Sequence, residues 1–285
     1  MVETALESRQ TQITRLVMTI VDIRQEIDEC KTYRFVSALN KDMFAYHPGQ
    51  DVKLYFDTPL RKNDFRLYSI ASSPTRREYM ELTIKSEHGQ FAPYFLAQAK
   101  INDQYVIEGP YGRFLSKPLK MIENKELDTV VFLASSSGIV PFRCFIEYAI
   151  DVGLDVNIWL FYVNRTRRDL IYRTLLPTLL SSYKKLNLIL NFTREHEVSA
   201  EEMYESVFPI DKSFKDRVDF VFGRRLEFPD INSRVHNWKE CWYAICGGAK
   251  FIAGDRQFGQ DGMMQKIEKG GVERSRIEID SYGTN

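Results

Sequence analysis

The sequence has little cysteine and no excess of charge of either sign. Its 285 residues include 39 basic and 39 acidic side chains, so no overall field attracts a nucleic acid or an anionic membrane. The four cysteines, Cys30, Cys144, Cys241 and Cys246, form no Cys-x-x-Cys pair. This spacing argues against a zinc site and an iron–sulfur cluster, which need clustered thiolates, and against a disulfide framework. We therefore predict no bound metal.

Long hydrophobic runs and a leader are also missing. The longest apolar stretches, Thr129–Ala134 and Ile158–Val163, are too short to cross a bilayer. The N-terminus, Met1-Val2-Glu3-Thr4, has no basic region followed by an apolar core, so the sequence predicts no secretory signal. These absences predict a cytoplasmic protein without a membrane span. Hydrophobic residues at 44% and charged residues at 27% are typical of a globular chain with a full core.

The length suggests two domains, and the residue pattern differs between the two halves. From about Thr14 to Leu115 short apolar runs alternate with turn residues, and the compact apolar segment Ala92–Ala99 is typical of a short helix. Runs at this spacing predict a small closed antiparallel β-barrel. The predicted strands are Leu16–Val21, Thr32–Val36, Asp51–Phe56, Phe65–Ile70, Tyr79–Lys85 and Gln104–Glu108.

After Leu119 strands and helices alternate, which predicts a parallel sheet covered by helices on both faces. Pro141 is tolerated in the first turn of the first helix, and Ser199-x-x-Glu202 is a capping box that opens a later one. The predicted strands are Thr129–Ala134, Asn157–Val163, Leu186–Phe192, Trp242–Cys246 and Arg276–Asp280, and the predicted helices are Ile139–Ile150, Arg168–Leu180 and Met263–Glu268.

The boundary between the halves falls near Ser116–Asp128, where Lys, Pro, Glu and Asn cluster. We therefore expect an N-terminal tail over residues 1–13, a β-barrel domain over 14–120 and an α/β domain over 121–285. The stretch Phe208–Glu240 gives no interpretable pattern.

The most informative segment of the first half is Arg66-Leu67-Tyr68-Ser69-Ile70-Ala71-Ser72. Arg66 and Tyr68 alternate along one strand and therefore share a face. An arginine can hold a pyrophosphate through two hydrogen bonds, and a tyrosine can cover a flat ring. Taken alone, the segment still favours an ordinary half-exposed strand with a surface arginine.

Two further motifs make the segment specific. Pro48-Gly49-Gln50 precedes it, and Gly109-Pro110-Tyr111-Gly112-Arg113-Phe114 follows it. In this order and at this spacing the three motifs resemble the flavin domain of the ferredoxin–NADP reductase family. The resemblance continues into the second half and covers nearly the whole chain beyond the first dozen residues. It implies an FAD-binding β-barrel followed by an NAD(P)-binding α/β domain.

The resemblance implies roles for individual barrel residues. Arg66 would bind the FAD pyrophosphate, Tyr68 would pack on one face of the isoalloxazine, and Ser69 would form a hydrogen bond near flavin N5. The family has a second phosphate contact at a Gly-x-x-Ser turn, and the corresponding stretch here is Gly89-Gln90-Phe91-Ala92. Alanine replaces the usual serine, so the hydroxyl contact is lost, although backbone amides at a helix N-terminus can still receive phosphate.

The junction Ala134-Ser135-Ser136-Ser137-Gly138-Ile139-Val140-Pro141-Phe142 resembles the family's glycine-rich dinucleotide turn. A turn of small residues, here around Ser137, Gly138 and Pro141, lets a pyrophosphate approach backbone amides and the helix dipole. Serines stand where the family has its earlier glycines. A turn that needs a positive φ at Ser135 or Ser136 would therefore be strained.

Two later strand ends resemble nucleotide-contacting segments of the family. Leu160–Thr166 resembles the second nucleotide strand and would place Asn164 and Arg165 beside the nucleotide, although a charged helix start explains the arginine equally well. Thr193 and Arg194 belong to a segment that resembles the one with which NADP-preferring members meet the 2′-phosphate. Because a guanidinium can supply a charge-assisted phosphate contact, this segment favours NADPH over NADH.

The last two motifs resemble the family's hydride-transfer pocket. Cys246-Gly247-Gly248 ends a buried strand; a lone buried cysteine is by default inert packing, but the glycines favour a role beside the nicotinamide. Asp280-Ser281-Tyr282 resembles the family's acidic-x-aromatic terminus. Tyr282 would stack on the flavin face that nicotinamide must occupy, with Asp280 as a proton or hydrogen-bond partner. A frayed end is the alternative for Gly283–Asn285.

Together the resemblance implies an oxidoreductase that passes electrons between NAD(P)H and a one-electron carrier, by hydride transfer between nicotinamide C4 and flavin N5. The expected partner is a separate ferredoxin, a flavodoxin or an oxygenase component, with electrons flowing in either direction. Two alternatives stay open. One is a non-catalytic subunit with weakened nucleotide binding, supported by Ser135, Ser136 and Ala92. The other is a reductase subunit that is active only within an oxygenase complex.

Overall fold

The described residues of the first half form six strands and one helix, as the sequence predicted. The computed structural model describes residues 13–39, 43–58, 61–86, 90–196, 198–209 and 213–282, so the expected tail lies almost wholly outside the described residues. The elements are β1 (Thr14–Ile27), β2 (Cys30–Ser37), β3 (Asp51–Phe56), β4 (Asp64–Ser69), β5 (Met80–Lys85), α1 (Phe91–Gln98) and β6 (Gln104–Tyr111).

These strands form one antiparallel sheet in the order β4-β3-β6-β1-β2-β5. The two edge strands meet through a bridge between Ile70 and Leu82, so the sheet curves into the predicted barrel. Its interior is filled by apolar side chains, with Phe95 of α1 packed edge-on against Tyr33 at a ring-centroid distance of 5.1 Å. Burying each such aromatic side chain stabilises the fold by about 1.5–3 kcal/mol. The helix is therefore part of the barrel core.

The second half alternates strands and helices. Its strands are β7 (Thr129–Ser135), β8 (Asn157–Asn164), β9 (Leu186–Phe192), β10 (Val218–Phe222), β11 (Trp242–Gly248) and β12 (Ile277–Tyr282). Its helices are α2 (Ser116–Glu123), α3 (Val140–Val152), α4 (Leu176–Ser182), α5 (Ala200–Val207), α6 (Phe228–Asn232), α7 (Ala249–Ala253) and α8 (Met263–Lys269).

All six strands pair in parallel, in the order β10-β9-β8-β7-β11-β12, and each face of the sheet buries its own hydrophobic cluster. This arrangement confirms the predicted parallel sheet with helices on both faces. Chain order reverses on the two sides of β7, because β8 lies on one side and β11 on the other. In open α/β sheets ligands bind at the carboxyl ends of the strands at such a switch point.

One predicted helix is wrong over its first half. The segment Arg168–Leu180 contains a single 3₁₀ turn at Arg167–Asp169, and α4 begins only at Leu176. Tyr172 between them has φ of 63°, which a right-handed helix does not contain. Pro177 then stands at the start of α4, where a proline is tolerated.

Three α-helices and one strand were not anticipated from the sequence. Helix α2 occupies Ser116–Glu123, across the expected domain boundary, β10 and α6 lie within the stretch that gave no pattern, and α7 follows β11 directly. The capping box of α5 is present as predicted, since Ser199 accepts a hydrogen bond from the backbone N–H of Glu202 at 3.1 Å.

Within the part of the chain that the structure describes, no helix is both long enough and apolar enough to span a membrane.

Candidate active site between the two domains

The turn after β7 lies against the end of β11 at the switch point of the parallel sheet. A Cβ atom at Gly138 would lie 2.1 Å from the backbone oxygen of Cys246, so only glycine allows this approach. Gly247 is crowded to a smaller degree, because its Cβ would meet the side chains of Phe251 at 2.9 Å and Ser135 at 3.0 Å. The predicted residues Gly138, Cys246 and Gly247, which belong to two separate motifs, are therefore packed together.

Ser136 adopts the backbone conformation that the sequence suggested would be strained. Its φ is 55°, in the left-handed region, whereas Ser135 is extended with φ of −124°. The Ser136 hydroxyl accepts a hydrogen bond of 2.7 Å from Lys85 Nζ on β5 of the barrel. Lys85 also lies 3.3 Å from a carboxylate oxygen of Glu29. A contact from the other domain therefore supports the unfavourable turn.

Tyr282 closes the same turn from the C-terminal side. The backbone N–H of Gly138 donates a hydrogen bond of 3.0 Å to the Tyr282 hydroxyl, which in turn donates to the backbone oxygen of Ser135. Strand β12 stays paired with β11 as far as Tyr282. The chain is therefore not frayed up to this residue, while Gly283–Asn285 lie outside the described residues. The tyrosine is bound to the backbone that was predicted to receive a dinucleotide.

Four acidic or polar groups from both domains face each other beside this turn. Cys246 donates a long hydrogen bond of 3.8 Å from Sγ to Oδ2 of Asp280, its neighbour across the β11–β12 pair. Burial raises the pKa of Asp280, while the Cys246 contact acts in the opposite direction. On the barrel side, Ser69 is the cross-strand partner of Asp51 and donates a hydrogen bond to its carboxylate. The predicted residues Ser69, Cys246 and Asp280 are thus brought together.

Asp51 is a functional candidate that the sequence reading missed. Burial, together with the nearby carboxylate of Asp280, raises the pKa of Asp51 to about 7. Burial also raises the pKa of Glu278 to about 7, and this carboxylate accepts a hydrogen bond of 3.1 Å from the backbone N–H of Leu115. The only sequence signal was an acidic residue at the start of a buried strand, directly after Pro48-Gly49-Gln50.

The predicted flavin-phosphate residues meet on the outer side of β4. The Arg66 guanidinium lies 5.2 Å from the ring centroid of Phe91, and the rings of Phe91 and Tyr68 are 6.4 Å apart. Arg66 also pairs with Asp64 at 2.9 Å and remains about half exposed. Ala92 is the second residue of α1, next to Phe91. Gly89, the first residue of the corresponding turn, lies outside the described residues.

Asn164, at the carboxyl end of β8, has unsatisfied polar atoms. The side chain is buried, and neither Nδ2 nor Oδ1 has good hydrogen-bond geometry with a described residue, although the Tyr162 hydroxyl lies close enough to interact with the Asn164 side chain. Leaving such groups unpaired costs about 1–3 kcal/mol each, so a bound polar ligand would relieve the cost. Arg165 and Arg194 are both exposed beside it, joined by a backbone hydrogen bond of 2.9 Å from Arg194 N–H to the Arg165 oxygen.

A cavity of about 170 Å³ opens at the carboxyl ends of β8 and β9. Its charged lining comprises three cations, Arg225, Lys250 and Lys266, and two carboxylates, Asp255 and Asp261, beside Thr193 and the ring of Phe251. Lys250 pairs with Asp255 at 2.7 Å and Lys266 pairs with Glu227 at 2.6 Å, so each lysine would have to leave an ion pair to meet a phosphate. Of the lining residues only Thr193 was predicted, because the cations come from three segments that are distant in sequence and carry no shared motif. The two remaining predicted residues follow β7: Ser137 lies in the 3₁₀ segment Ser136–Ile139, and Pro141 is the second residue of α3.

Two protein-family models match this chain, one in each of its two domains. The sequence model of the oxidoreductase FAD-binding domain matches residues 18–115, and that of the oxidoreductase NAD-binding domain matches residues 132–256. These matches confirm the two predicted cofactor classes, FAD and a nicotinamide dinucleotide, in the predicted order.

Two curated proteins illustrate the similarity. The chain is 26% identical over 205 residues to subunit gamma of sulfhydrogenase 2 from Pyrococcus furiosus, covering 70% of this chain and 64% of that protein. It is 26% identical over 174 residues to the ferredoxin reductase component of 3-ketosteroid-9-alpha-monooxygenase from Mycolicibacterium smegmatis, covering 59% of this chain and 47% of that protein. The chain therefore spans less than two thirds of the length of either relative.

Among solved structures the chain is similar to the FAD/NAD-binding domain of nitric oxide dioxygenase from Vibrio cholerae O1 biovar El Tor. The TM-score is 0.73 at 14% identity, over 94% of this chain and 98% of that one. At this identity the likeness shows the fold alone. The likeness covers both domains of the chain.

Proposed function

Because the chain belongs to the ferredoxin–NADP reductase-like family of two-domain flavin oxidoreductases, we propose that it is an FAD-dependent NAD(P)H oxidoreductase that exchanges single electrons with a separate carrier. The observation that supports this proposal best is a contact between the domains: Ser69 of the barrel bonds to Asp51, which lies beside Asp280 of the α/β domain, the partner of Cys246. Bound FAD would supply the chemistry, because a flavin exchanges two electrons with nicotinamide and one at a time with a carrier.

The barrel residues would bind and orient the flavin. We assign the FAD pyrophosphate to Arg66, supported by Phe91 beneath its guanidinium and by the N-terminus of α1 at Ala92. Tyr68 would cover the ring system, and Ser69 would form a hydrogen bond at its edge. The Arg66 side chain is about half exposed, whereas Asp64 is largely buried and also accepts a hydrogen bond from the Phe65 backbone N–H, so Arg66 is the partner that would turn to a phosphate.

The α/β domain would bind the nicotinamide nucleotide across the switch point. The pyrophosphate would approach Ser137 and the N–H of Gly138 once the Tyr282 hydroxyl leaves, and Asn164 would gain a polar partner with good geometry. Thr193, Arg194 and the cavity cations Arg225, Lys250 and Lys266 would meet the adenosine half of the nucleotide. NADPH is favoured over NADH because Arg194 follows β9, where the resemblance places the contact to the 2′-phosphate.

Cys246, Asp280 and Ser69 would form the wall of the hydride-transfer pocket. Cys246 would shape the nicotinamide site, and Asp280, whose pKa is raised by burial, would hold a proton beside it. Their part is to align donor and acceptor and to exclude water, which contributes more to the rate than any single side-chain reaction.

The electron carrier is proposed to be a ferredoxin, a flavodoxin or an oxygenase component. The similarity to a ferredoxin reductase component of a monooxygenase supports this class of partner. It also supports the second candidate, a reductase subunit that is active only within an oxygenase complex. A cytoplasmic location remains a prediction from the sequence.

The test is the visible spectrum of the purified protein before and after anaerobic addition of NADPH and, separately, of NADH. We expect flavin bands that bleach promptly, and faster with NADPH. A matched variant is Gly138→Ala, whose added methyl group would collide with the Cys246 backbone, so it should keep the flavin bands but lose the bleaching. FAD that is absent and cannot be restored would favour the non-catalytic alternative. Bands that neither nucleotide bleaches would implicate the serine turn.

A further inference from the structure

One face of β5 joins the barrel to three separate elements of the α/β domain. Side chains at alternate positions of a strand line one face, and here these are Glu81, Thr83 and Lys85. Glu81 pairs with Arg143 on α3, Thr83 bonds to the hydroxyl of Tyr172, and Lys85 bonds to Ser136. A single barrel strand therefore contacts the nucleotide turn, the helix that follows it and the loop after β8.

Glu81 is the most buried member of this face. Its side chain is fully shielded from solvent, yet its carboxylate accepts hydrogen bonds from Arg24 at 2.5 Å and Arg34 at 2.9 Å, as well as from Arg143. Burial acts to raise the pKa of Glu81, but the charges of Arg143 and Arg24 outweigh it and lower the pKa to about 2. The carboxylate is therefore ionised at any physiological pH.

The ion pairs continue through α3 and return to the barrel. Arg143 is 3% exposed, lies 4.7 Å from the ring centroid of Tyr172 and pairs with Glu147 at 3.1 Å, one helical turn further on. Glu147 in turn pairs with Arg76 of the barrel at 2.9 Å. Because a buried charge that loses its partner is strongly destabilising, every member resists rotation of α3 against the barrel.

This network is attached to the nucleotide turn itself. Arg143 lies in the first helical turn of α3, which starts at Val140 directly after the nucleotide turn. Lys85 donates a hydrogen bond to Ser136 within the nucleotide turn. We propose that Glu81 is a positioning residue: by holding Arg143 it fixes α3 and the nucleotide turn against the barrel, and thereby the approach of nicotinamide to flavin. The inference rests on the proposed function. It predicts that Glu81 acts on the rate of transfer and leaves the binding of the adenosine half unchanged.

The test compares two substitutions with a control. Glu81→Gln keeps the shape and removes the charge, and Asp219→Asn removes a carboxylate from the Arg234 pair, which lies within the α/β domain. Tyr172→Phe serves as a milder second variant if Glu81→Gln does not fold, since Thr83 keeps its hydrogen bond of 2.8 Å to Thr32. The readouts are the flavin bleaching rate at saturating NADPH, the dissociation constant of 2′-phospho-AMP, and calorimetric unfolding of the flavin-free chain.

For Glu81→Gln we expect the bleaching rate to fall about tenfold, because a misplacement well below 1 Å already slows an aligned transfer. Binding of 2′-phospho-AMP should change less than about twofold, because that ligand contacts one domain only. Unfolding of the flavin-free variant should separate into two transitions, whereas the Asp219→Asn control keeps one. Tyr172→Phe should show the same split between rate and binding at a smaller size.

Two results would overturn the proposal. One is an unchanged bleaching rate together with a single unfolding transition in folded Glu81→Gln. The other is an equal loss of rate and of 2′-phospho-AMP binding, which would mean general destabilisation. If the wild-type flavin is bleached by neither nucleotide, the proposed function fails instead, and the number of unfolding transitions still decides whether Glu81 couples the domains.

Discussion

Replacing Ser136 provides the sharpest test of the local structure, because this residue combines an unfavourable backbone conformation with a compensating side-chain contact. Ser136→Ala keeps the left-handed φ of 55° and removes the hydroxyl bonded to Lys85. Ser136→Gly removes the same hydroxyl but tolerates the positive φ. Both variants lose an equal hydrogen bond, so the difference between them isolates the backbone.

The magnitudes can be worked out from these two terms. The lost hydrogen bond costs each variant about 1 kcal/mol. A left-handed residue with a Cβ costs about 1–2 kcal/mol, which glycine avoids. The glycine variant loses about 0.5–1 kcal/mol of this advantage, because glycine increases the conformational entropy of the unfolded chain. Ser136→Gly is therefore expected to be more stable than Ser136→Ala by about 0.5–1 kcal/mol, and Ser136→Ala to be less stable than the wild type by about 1 kcal/mol.

Ser135 supplies the control from the neighbouring position. Its φ of −124° suits any residue, so there the order must reverse and alanine must be more stable than glycine. The measurement is the free energy of unfolding from urea titration of the four variants and the wild type. The reasoning is refuted if alanine is also the more stable residue at Ser136, because the turn would then hold no strain.

Three further predictions concern the ligand sites and the pH. Tyr282→Phe removes the hydroxyl that accepts the hydrogen bond from the Gly138 N–H. The dissociation constant for NADPH, measured by equilibrium titration, should therefore fall about fivefold. An unchanged value would argue against competition between this hydroxyl and the nucleotide. Arg194→Gln should raise that constant about tenfold for NADPH and leave NADH unaffected, whereas equal effects would exclude a 2′-phosphate contact. Burial, together with Asp280, raises the pKa of Asp51 to about 7, so the folded chain holds a proton that the unfolded chain releases above about pH 4. Stability in urea should therefore fall between about pH 4 and pH 7, and fall less in Asp51→Asn; equal slopes would contradict the raised pKa.

The strands and the two-domain plan were predictable because their signals are local. Alternation within Asp51–Phe56 and the apolar run Thr129–Ala134 each mark a strand within a few residues, and the structure reproduces both. The helix Arg168–Leu180 failed because its interruption at Tyr172 has no local mark: a tyrosine at positive φ is held there by Thr83 and by the Arg143 guanidinium from elsewhere in the fold.

The site was predictable only where a motif is contiguous. Gly138, Cys246 and Asp280 were found because each belongs to a short recognisable segment. Asp51, Lys250 and Lys266 were missed because their setting arises from strands and helices that meet only in the folded chain. The raised pKa of Asp51 depends on burial and on the carboxylate of Asp280, more than 200 residues away in sequence. The residues next to Asp51 in the sequence indicate neither of these causes.

The serine turn shows why a departure from a motif cannot be judged within its own segment. From the sequence, Ser136 appeared to weaken the nucleotide site, because serine tolerates a positive φ less well than glycine. The structure does place Ser136 at a positive φ, yet its hydroxyl, which glycine would lack, accepts a hydrogen bond from Lys85 of the other domain. Compared with the glycine that the family has in this turn, Ser136 is less tolerant of the positive φ but adds a hydrogen bond between the domains. The same residue that strains the turn also ties it to β5, where Glu81 holds the following helix, so the strain and the domain coupling belong to one structural feature.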